Sequence, residues 1–247
     1  VLMMDWLASM ARDRGEDVSR KVAVSTIVSS AMPDALARDW GFEMRRVLTG
    51  FKYIGDQIDQ LKDAGEEDRF LMGFEESYGY LVGTHARDKD AIVATMLCVE
   101  MASHYASKGM DLYEAMDALY QRYGYYLNAT VNASFPGAAG AERMAQIMSG
   151  LRESPLEQIA GLRVEGVTDY AEGPQMPRVS GLQKEAAQVL PAANVLEYRL
   201  EGDNKVIFRP SGTEPKVKAY LFSKGKTREE SEAMLAQLRE AAKKILA

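Results

Sequence analysis

Leu2, Met3, Trp6, Leu7, Met10 and Ala11 recur at three- and four-residue spacing, so the chain opens on a helix with one apolar face, which Gly15-Glu16 ends. Residues 21–28 are apolar at both parities, the pattern of a strand covered on two faces. A short helix follows, with Ser30 as its cap and Pro33 in its first turn, where a missing N–H is harmless. Residues 42–48 read as a second strand and 53–61 as a helix after the Thr49-Gly50 turn. Residues 70–72 form a third, short strand that ends in a loop from Gly73 to Gly83. From Asp90 to Ser107 the residues Ile92, Val93, Met96, Leu97, Cys98, Met101 and Tyr105 predict a long helix, stopped at Gly109. Asp111, with Glu114 three residues on, starts another. Residues 125–131 read as strand and 140–149 as helix, so the region alternates strand with helix as α/β layers do.

After Gly161 the pattern changes. Residues 164–170 are strand-like, and Glu172-Gly-Pro-Gln-Met-Pro177 reads as a loop. Residues 195–200 and 205–209 flank a turn at Glu201-Gly-Asp-Asn204, and 217–222 form a further strand. Thr227 with Glu230 then opens an amphipathic helix through Met234, Leu238, Ala241 and Ile245. The expected organisation is a mixed-sheet α/β domain over 1–158 and a smaller α+β domain over 159–247, with an antiparallel sheet and a C-terminal helix.

Charge sharpens this division. The chain carries a net charge of −6 in 247 residues, but residues 1–160 hold 16 basic and 24 acidic side chains against 14 and 12 in 161–247. The second region is the better home for an anion, while the overall sign argues against a general nucleic-acid binder. No apolar run suggests a membrane span, and the start of the chain has no signal-peptide pattern. The single cysteine, Cys98, rules out a disulfide framework, and the expected location is cytoplasmic. Cys98 lies on the apolar stripe of its helix, so burial is expected. Fourteen scattered methionines fit core gap-filling.

Two loops stand out chemically. Arg209-Pro-Ser-Gly-Thr-Glu-Pro215, followed by Lys216 and Lys218, sets a guanidinium, two hydroxyls and loop amides between stiffening prolines, which suits an anion cradle. An ordinary strand–turn–strand with a solvated arginine would carry the same letters. Gly73-Phe-Glu-Glu-Ser-Tyr-Gly79 follows a strand, at the sheet edge where α/β proteins bind ligands, and its carboxylates and hydroxyl suit a polyhydroxylated molecule. Glu75 and Glu76 are adjacent on extended backbone and point apart, so they make a poor glycosidase pair. A surface turn is the plain alternative. Arg87-Asp-Lys-Asp90 precedes the long helix, where Lys89 suits an anionic ligand or is part of a solvated charge run. Lys52, after Thr49-Gly50, reads by itself as a surface lysine. His85 and His104 have no zinc-ligand spacing.

Taken together, Thr49-Gly-Phe-Lys-Tyr-Ile-Gly55, Gly73-Phe-Glu-Glu-Ser-Tyr-Gly79, Arg87-Asp-Lys-Asp90 and Arg209-Pro-Ser-Gly-Thr-Glu-Pro-Lys216 resemble the α-D-phosphohexomutase family, in its bacterial phosphoglucomutase/phosphomannomutase form. The resemblance covers nearly the whole chain and corresponds to the family's third and fourth domains. It implies an enzyme interconverting hexose 1-phosphate and hexose 6-phosphate, of glucose or mannose, through a bisphosphate intermediate. It also implies Mg2+ and glucose 1,6-bisphosphate as cofactor and activator. By the same resemblance Glu75 and Ser77 would hold sugar hydroxyls, with Arg87 and Lys52 in further substrate contact. Arg209, Ser211, Gly212 and Thr213 would bind phosphate, and Lys89 would serve as general acid/base or charge stabiliser.

The family's phosphoserine loop and its Asp-x-Asp-x-Asp metal loop are absent from this sequence. Ser103-His104 copies two letters of the former inside an apolar-periodic helix, which is no place for a nucleophile. The chain is therefore expected to be the C-terminal half of a mutase, inactive alone, with the missing N-terminal domains and hexose phosphates as its partners. A complete, non-catalytic sugar-phosphate-binding protein or scaffold is the alternative.

Overall fold

The computed structural model describes residues 1–172, 190–212 and 214–247; most of the proline-bearing loop expected after Glu172 lies outside them, as does Thr213. The chain divides into two units, Val1–Tyr123 and Gly124–Ala247.

In the first unit, strand β1 (Val22–Thr26) is buried along its whole length, as its two-parity apolar pattern requires. It pairs in parallel with β2 (Glu43–Val47) and β3 (Phe70–Glu75). β3 pairs antiparallel with the short β4 (Gly79–Leu81), which gives a mixed sheet of order β2-β1-β3-β4. Helices α1 (Leu2–Asp13), α2 (Met32–Trp40) and α3 (Phe51–Asp63) are interleaved with these strands. Val22 and Val24 share a core with Ile54, Ile58 and Leu61 of α3. Ala23 and Ser25, of opposite parity, are equally buried, so the other face of the sheet is covered too. Helices α4 (Ala91–Ser107) and α5 (Leu112–Tyr123) complete the unit. The start of α5 is a reciprocal capping box: the Glu114 amide donates to Asp111 Oδ1 and the Asp111 amide to Glu114 Oε2, both at 2.8 Å.

The second unit consists of β5 (Tyr125–Ser134), α6 (Ala138–Glu153), β6 (Gln158–Ile159), β7 (Leu162–Asp169), β8 (Leu196–Leu200), β9 (Asn204–Pro210), β10 (Lys216–Gly225) and α7 (Arg228–Leu246). Its strands are antiparallel in the order β5-β10-β9-β8-β7-β6. One face, with Tyr198, Phe208 and Leu221, packs on Met148 of α6 and on Leu238, Ala242 and Leu246 of α7. Thr227 caps α7 by accepting the Glu230 amide at 3.2 Å.

Three expectations differ from the structure. The division falls at Tyr123/Gly124, not near 158, because β5 belongs to the second sheet: it pairs with β10 from Lys216↔Ser134 to Gly225↔Tyr125. The second unit is thus as long as the first, and the charge contrast persists, with a net −7 in 1–123 and +1 in 124–247. Residues 73–83 are not simply a loop, since β3 continues to Glu75 and turns back as β4. Cys98 is exposed, because α4 is apolar on more than its inward face.

Candidate functional site

In the first unit the β3–β4 hairpin pairs Glu75 with Gly79 across a three-residue loop, Glu76-Ser77-Tyr78. Such a loop needs a left-handed residue before the returning strand, and here Tyr78 takes that conformation, at φ 60°. Glu75 is buried at 8% exposure, and its Oε1 lies 3.3 Å from Lys89 Nζ. Gly79 makes this pairing possible, since a Cβ there would stand 2.8 Å from Glu75 Cγ and 2.9 Å from Lys89 Cδ. The Lys89 ammonium also lies 5.8 Å from the centre of the Phe51 ring, a favourable arrangement for a cation. Half of the Lys89 side chain remains open to solvent.

Glu76 points elsewhere. Thr26 Oγ1 donates to its Oε2 at 2.7 Å, with Ser29 Oγ at 3.4 Å, which ties the hairpin tip to the end of β1. The adjacent carboxylates thus go to different partners, as extended backbone dictates. Ser77 is exposed at the tip, and Tyr78 is 91% exposed.

Lys89 is held from behind by the start of α4. The Asp90 amide donates to Tyr80 O at 2.8 Å. The Asp90 carboxylate caps α4 through the amides of Ile92 and Val93, at 2.9 and 3.0 Å, and bonds His85 Nε2 at 2.9 Å. The His85 bond, then the Val93 amide, hold the Asp90 carboxyl below the usual range. Arg87 is used within the protein: it donates to Asp59 Oδ1 and to Thr84 O, each at 2.6 Å, and to Ala86 O at 3.1 Å. It anchors the loop on α3. Lys52 is exposed in the first turn of α3 with its Nζ 4.8 Å from the Tyr53 ring centre, next in sequence to Phe51.

In the second unit Arg209 stands near the end of β9, and the loop to β10 is organised by its own backbone. The Ser211 amide donates to Lys216 O at 2.8 Å, the Lys216 amide to Glu214 O at 2.7 Å, and the Glu214 amide to Ser211 Oγ at 3.2 Å. The Phe135 amide bonds Pro215 O at 2.7 Å, which fixes the loop to the end of β5. Lys216 Nζ pairs with Glu214 at 2.6 Å, and the bond from Lys216 keeps the Glu214 carboxyl below its usual range. Arg209 Nη1 lies 3.4 Å from the Tyr220 hydroxyl.

The registers place Arg209 opposite Lys218, and Lys218 opposite Asn132, in one row on the sheet face away from α6 and α7. Ile207, Tyr220 and Thr130 form the next row. Asn132 and Thr130 were not singled out from the sequence. The alternation of Asn128, Thr130 and Asn132 with Ala129, Val131 and Ala133 is the signal that marks them. Gly79 and Phe51 were missed as well, because their roles lie in close approach and ring packing.

His104 is at the edge of the core, its ring 6.4 Å from Trp6 and 5.4 Å from Tyr105. Among the described residues, no group of three His, Cys, Asp or Glu side chains is placed to hold a metal ion, and no helix is long and apolar enough to cross a membrane.

Comparison with known proteins bears on the family and the fold. Residues 2–123 match the model of the phosphoglucomutase/phosphomannomutase α/β/α domain III. The phosphoglucomutase of Staphylococcus saprophyticus is 34% identical over 210 residues, which is 85% of this chain and 37% of that protein. That of Staphylococcus aureus strain bovine RF122 is 34% identical over 206 residues, or 83% of this chain and 36% of that protein. The chain therefore spans little more than a third of the length of these relatives. In fold, it resembles the crystal structure of the pp63/parafusin phosphoglucomutase of Paramecium, with a TM-score of 0.68 and 19% identity over 99% of this chain and 40% of that one. A phosphoglucomutase/phosphomannomutase family protein of Burkholderia thailandensis gives a TM-score of 0.56 at 12% identity, again over 99% of this chain and 40% of that one. By its sequence and its fold, the chain belongs to the phosphohexomutase family.

Proposed function

We propose that this chain carries the substrate-recognition part of an enzyme that interconverts hexose 1-phosphate and hexose 6-phosphate, of glucose or mannose, through a bisphosphate. The observation that carries the reading is the buried Glu75 held beside a half-open Lys89 by a glycine that leaves no room for a Cβ. A carboxylate fixed in this way accepts from sugar hydroxyls without reorganising, and Ser77 adds a group that both donates and accepts. Lys89, ion-paired and ring-stacked, offers positive charge to phosphoryl oxygens more readily than a basic lone pair, which favours charge stabilisation as its role. Arg87 acts indirectly, by anchoring the loop that bears Lys89. Lys52, in the first turn of α3, remains a further contact for anionic substrate.

On the second unit, Arg209, Ser211, Gly212 and Thr213 hold the phosphate that is not being transferred. Lys218 raises the positive field of the same sheet face. This clamp and the hydroxyl-reading hairpin are what a family chemistry that rebinds its bisphosphate in a second orientation needs. Magnesium would supply charge neutralisation at the transferring phosphoryl group. The described residues do not fit it, so its ligands, like the phosphorylated serine, are assigned to the remainder of a longer polypeptide, and this chain alone is expected to be inactive.

The test is a coupled assay converting glucose 1-phosphate to glucose 6-phosphate, with magnesium and a trace of glucose 1,6-bisphosphate. It should be run on this chain and on the full reading frame that encodes it. Activity confined to the longer protein supports the reading. Binding of sugar phosphates with no activity in either would favour a non-catalytic binding protein. Arg209→Ala should weaken glucose 6-phosphate far more than glucose; equal loss of both would count against the phosphate clamp.

A further inference from the structure

The face of the second sheet that points away from α6 and α7 carries charge that the described residues do not neutralise. Arg209 on β9 and Lys218 on β10 stand directly opposite each other, and both are half-buried. Like charges so placed repel, yet among the described residues neither has a carboxylate at ion-pair distance. Glu214, in the adjoining loop, is taken by Lys216 at 2.6 Å. Two rows away the same face behaves differently: Lys205, opposite Phe222, is met by Glu197 at 4.0 Å. Arg209 Nη1 lies 3.4 Å from the hydroxyl of Tyr220, a residue of β10, so the guanidinium leans off β9 and across β10.

Asn132 closes this row. It lies on β5, opposite Lys218, and is exposed. With strands about 4.8 Å apart, its backbone is about 10 Å from that of Arg209, with Lys218 between them. An anion above Lys218 therefore has Arg209 on one side and Asn132 on the other. The position is fixed, because three residues on the Phe135 amide bonds Pro215 O at 2.7 Å and ties this end of β5 to the Arg209–Lys216 loop. The three side chains differ in one respect: guanidinium and ammonium only donate, whereas the amide also accepts. Phosphate oxygens call for donors alone, but a hydroxyl beside them calls for an acceptor. From this row we infer that Asn132 is a specificity-determining residue, whose amide oxygen accepts from the sugar hydroxyl nearest the phosphate held by Arg209 and Lys218. The inference rests on the phosphate clamp proposed above and names what reads the sugar next to it. In a hexose 1-phosphate that hydroxyl is O2, the group at which glucose (equatorial) and mannose (axial) differ. In a hexose 6-phosphate it is O4, which the two sugars share. Asn132 thus tells the epimers apart only when a 1-phosphate occupies the clamp.

The experiment is isothermal titration calorimetry on the full-length protein encoded by the same gene, with EDTA present so that no turnover occurs. The probes are inorganic phosphate and the 1- and 6-phosphates of glucose and of mannose. Arg209→Ala is the control for the clamp and should weaken every probe. Asn132→Ala changes an exposed side chain and should leave the fold intact. It should keep inorganic phosphate within about twofold and weaken glucose 1-phosphate about five- to tenfold, the size of one hydrogen bond. It should also shift the ratio of glucose 1-phosphate to mannose 1-phosphate affinity by about threefold or more, with the ratio for the 6-phosphates unchanged. Equal loss of inorganic phosphate and hexose phosphates, or an unchanged 1-phosphate ratio, would overturn the role of Asn132 and leave the clamp standing. Affinities untouched by Arg209→Ala would instead remove the clamp itself, and this inference with it.

Discussion

The two candidate loops are built on opposite plans. The β3–β4 hairpin of the first unit draws its order from distant residues: Lys89 against Glu75, Phe51 beneath Lys89, Thr26 against Glu76. The Arg209–Lys216 loop of the second unit is ordered mainly by its own residues, through bonds among Ser211, Glu214 and Lys216, together with a tie to Phe135. A carboxylate that must read hydroxyls needs a buried, enforced position, and only packing from other elements supplies that. A phosphate cradle needs donors and positive charge at a turn, and local backbone suffices.

The largest break in this comparison comes from the glycines. At Gly73 a Cβ would lie 2.3 Å from Ile54 Cγ2, and at Gly212 it would meet nothing within 4 Å. Gly73→Ala should cost about 1–3 kcal/mol in urea unfolding, as overpacked cores do, whereas Gly212→Ala should stay within about 0.5 kcal/mol. Similar losses at both positions would erase the distinction. Next in size is Glu75→Ala. Because Lys89 keeps access to water, the destabilisation should be about 1–2 kcal/mol, short of the figure for a wholly buried pair, as calorimetry can show.

A smaller effect has the opposite sign. Tyr78 occupies a left-handed position that costs a tyrosine about 1–2 kcal/mol, against about 0.5–1 kcal/mol of chain entropy for glycine. Tyr78→Gly should therefore stabilise the first unit by about 0.5 kcal/mol, and a lower melting temperature would contradict that. The smallest effect is in pH dependence. Asp90 and Glu214 have folded pKa values depressed below their ordinary 3.8 and 4.5, through His85 and Lys216 respectively. Their contributions are thus fully present above those ordinary values and are lost as pH falls through the lower folded ones. Glu214→Gln should flatten the acid limb of chemical shifts around Ser211 and leave those around His85 unchanged.

Much of the architecture was legible where periodicity met a stop signal. The Thr227 cap and the apolar spacing of α7, the Asp111–Glu114 capping box and the two-parity burial of β1 were all readable from neighbouring residues. The two loops were legible as motifs, and both carry order in the structure. The domain division was misplaced because charge and composition change near 160, while the sheet that recruits β5 is set by pairing with β10, more than eighty residues away in sequence. Cys98 was misjudged for a related reason: a stripe of apolar residues says that a helix seeks cover, not whether this chain provides it.

What the sequence determined by itself was the set of elements, their caps and the chemical character of the two loops, because these depend on residues within one or two turns of each other. Only the tertiary structure decided that Arg87 ties its loop to Asp59 of α3, that Gly79 admits the Glu75–Lys89 pair, and that Arg209, Lys218 and Asn132 stand in one row. Each of these turns on a distance of a few ångströms between residues remote in sequence. Such distances follow from strand register and helix packing, which no local pattern encodes.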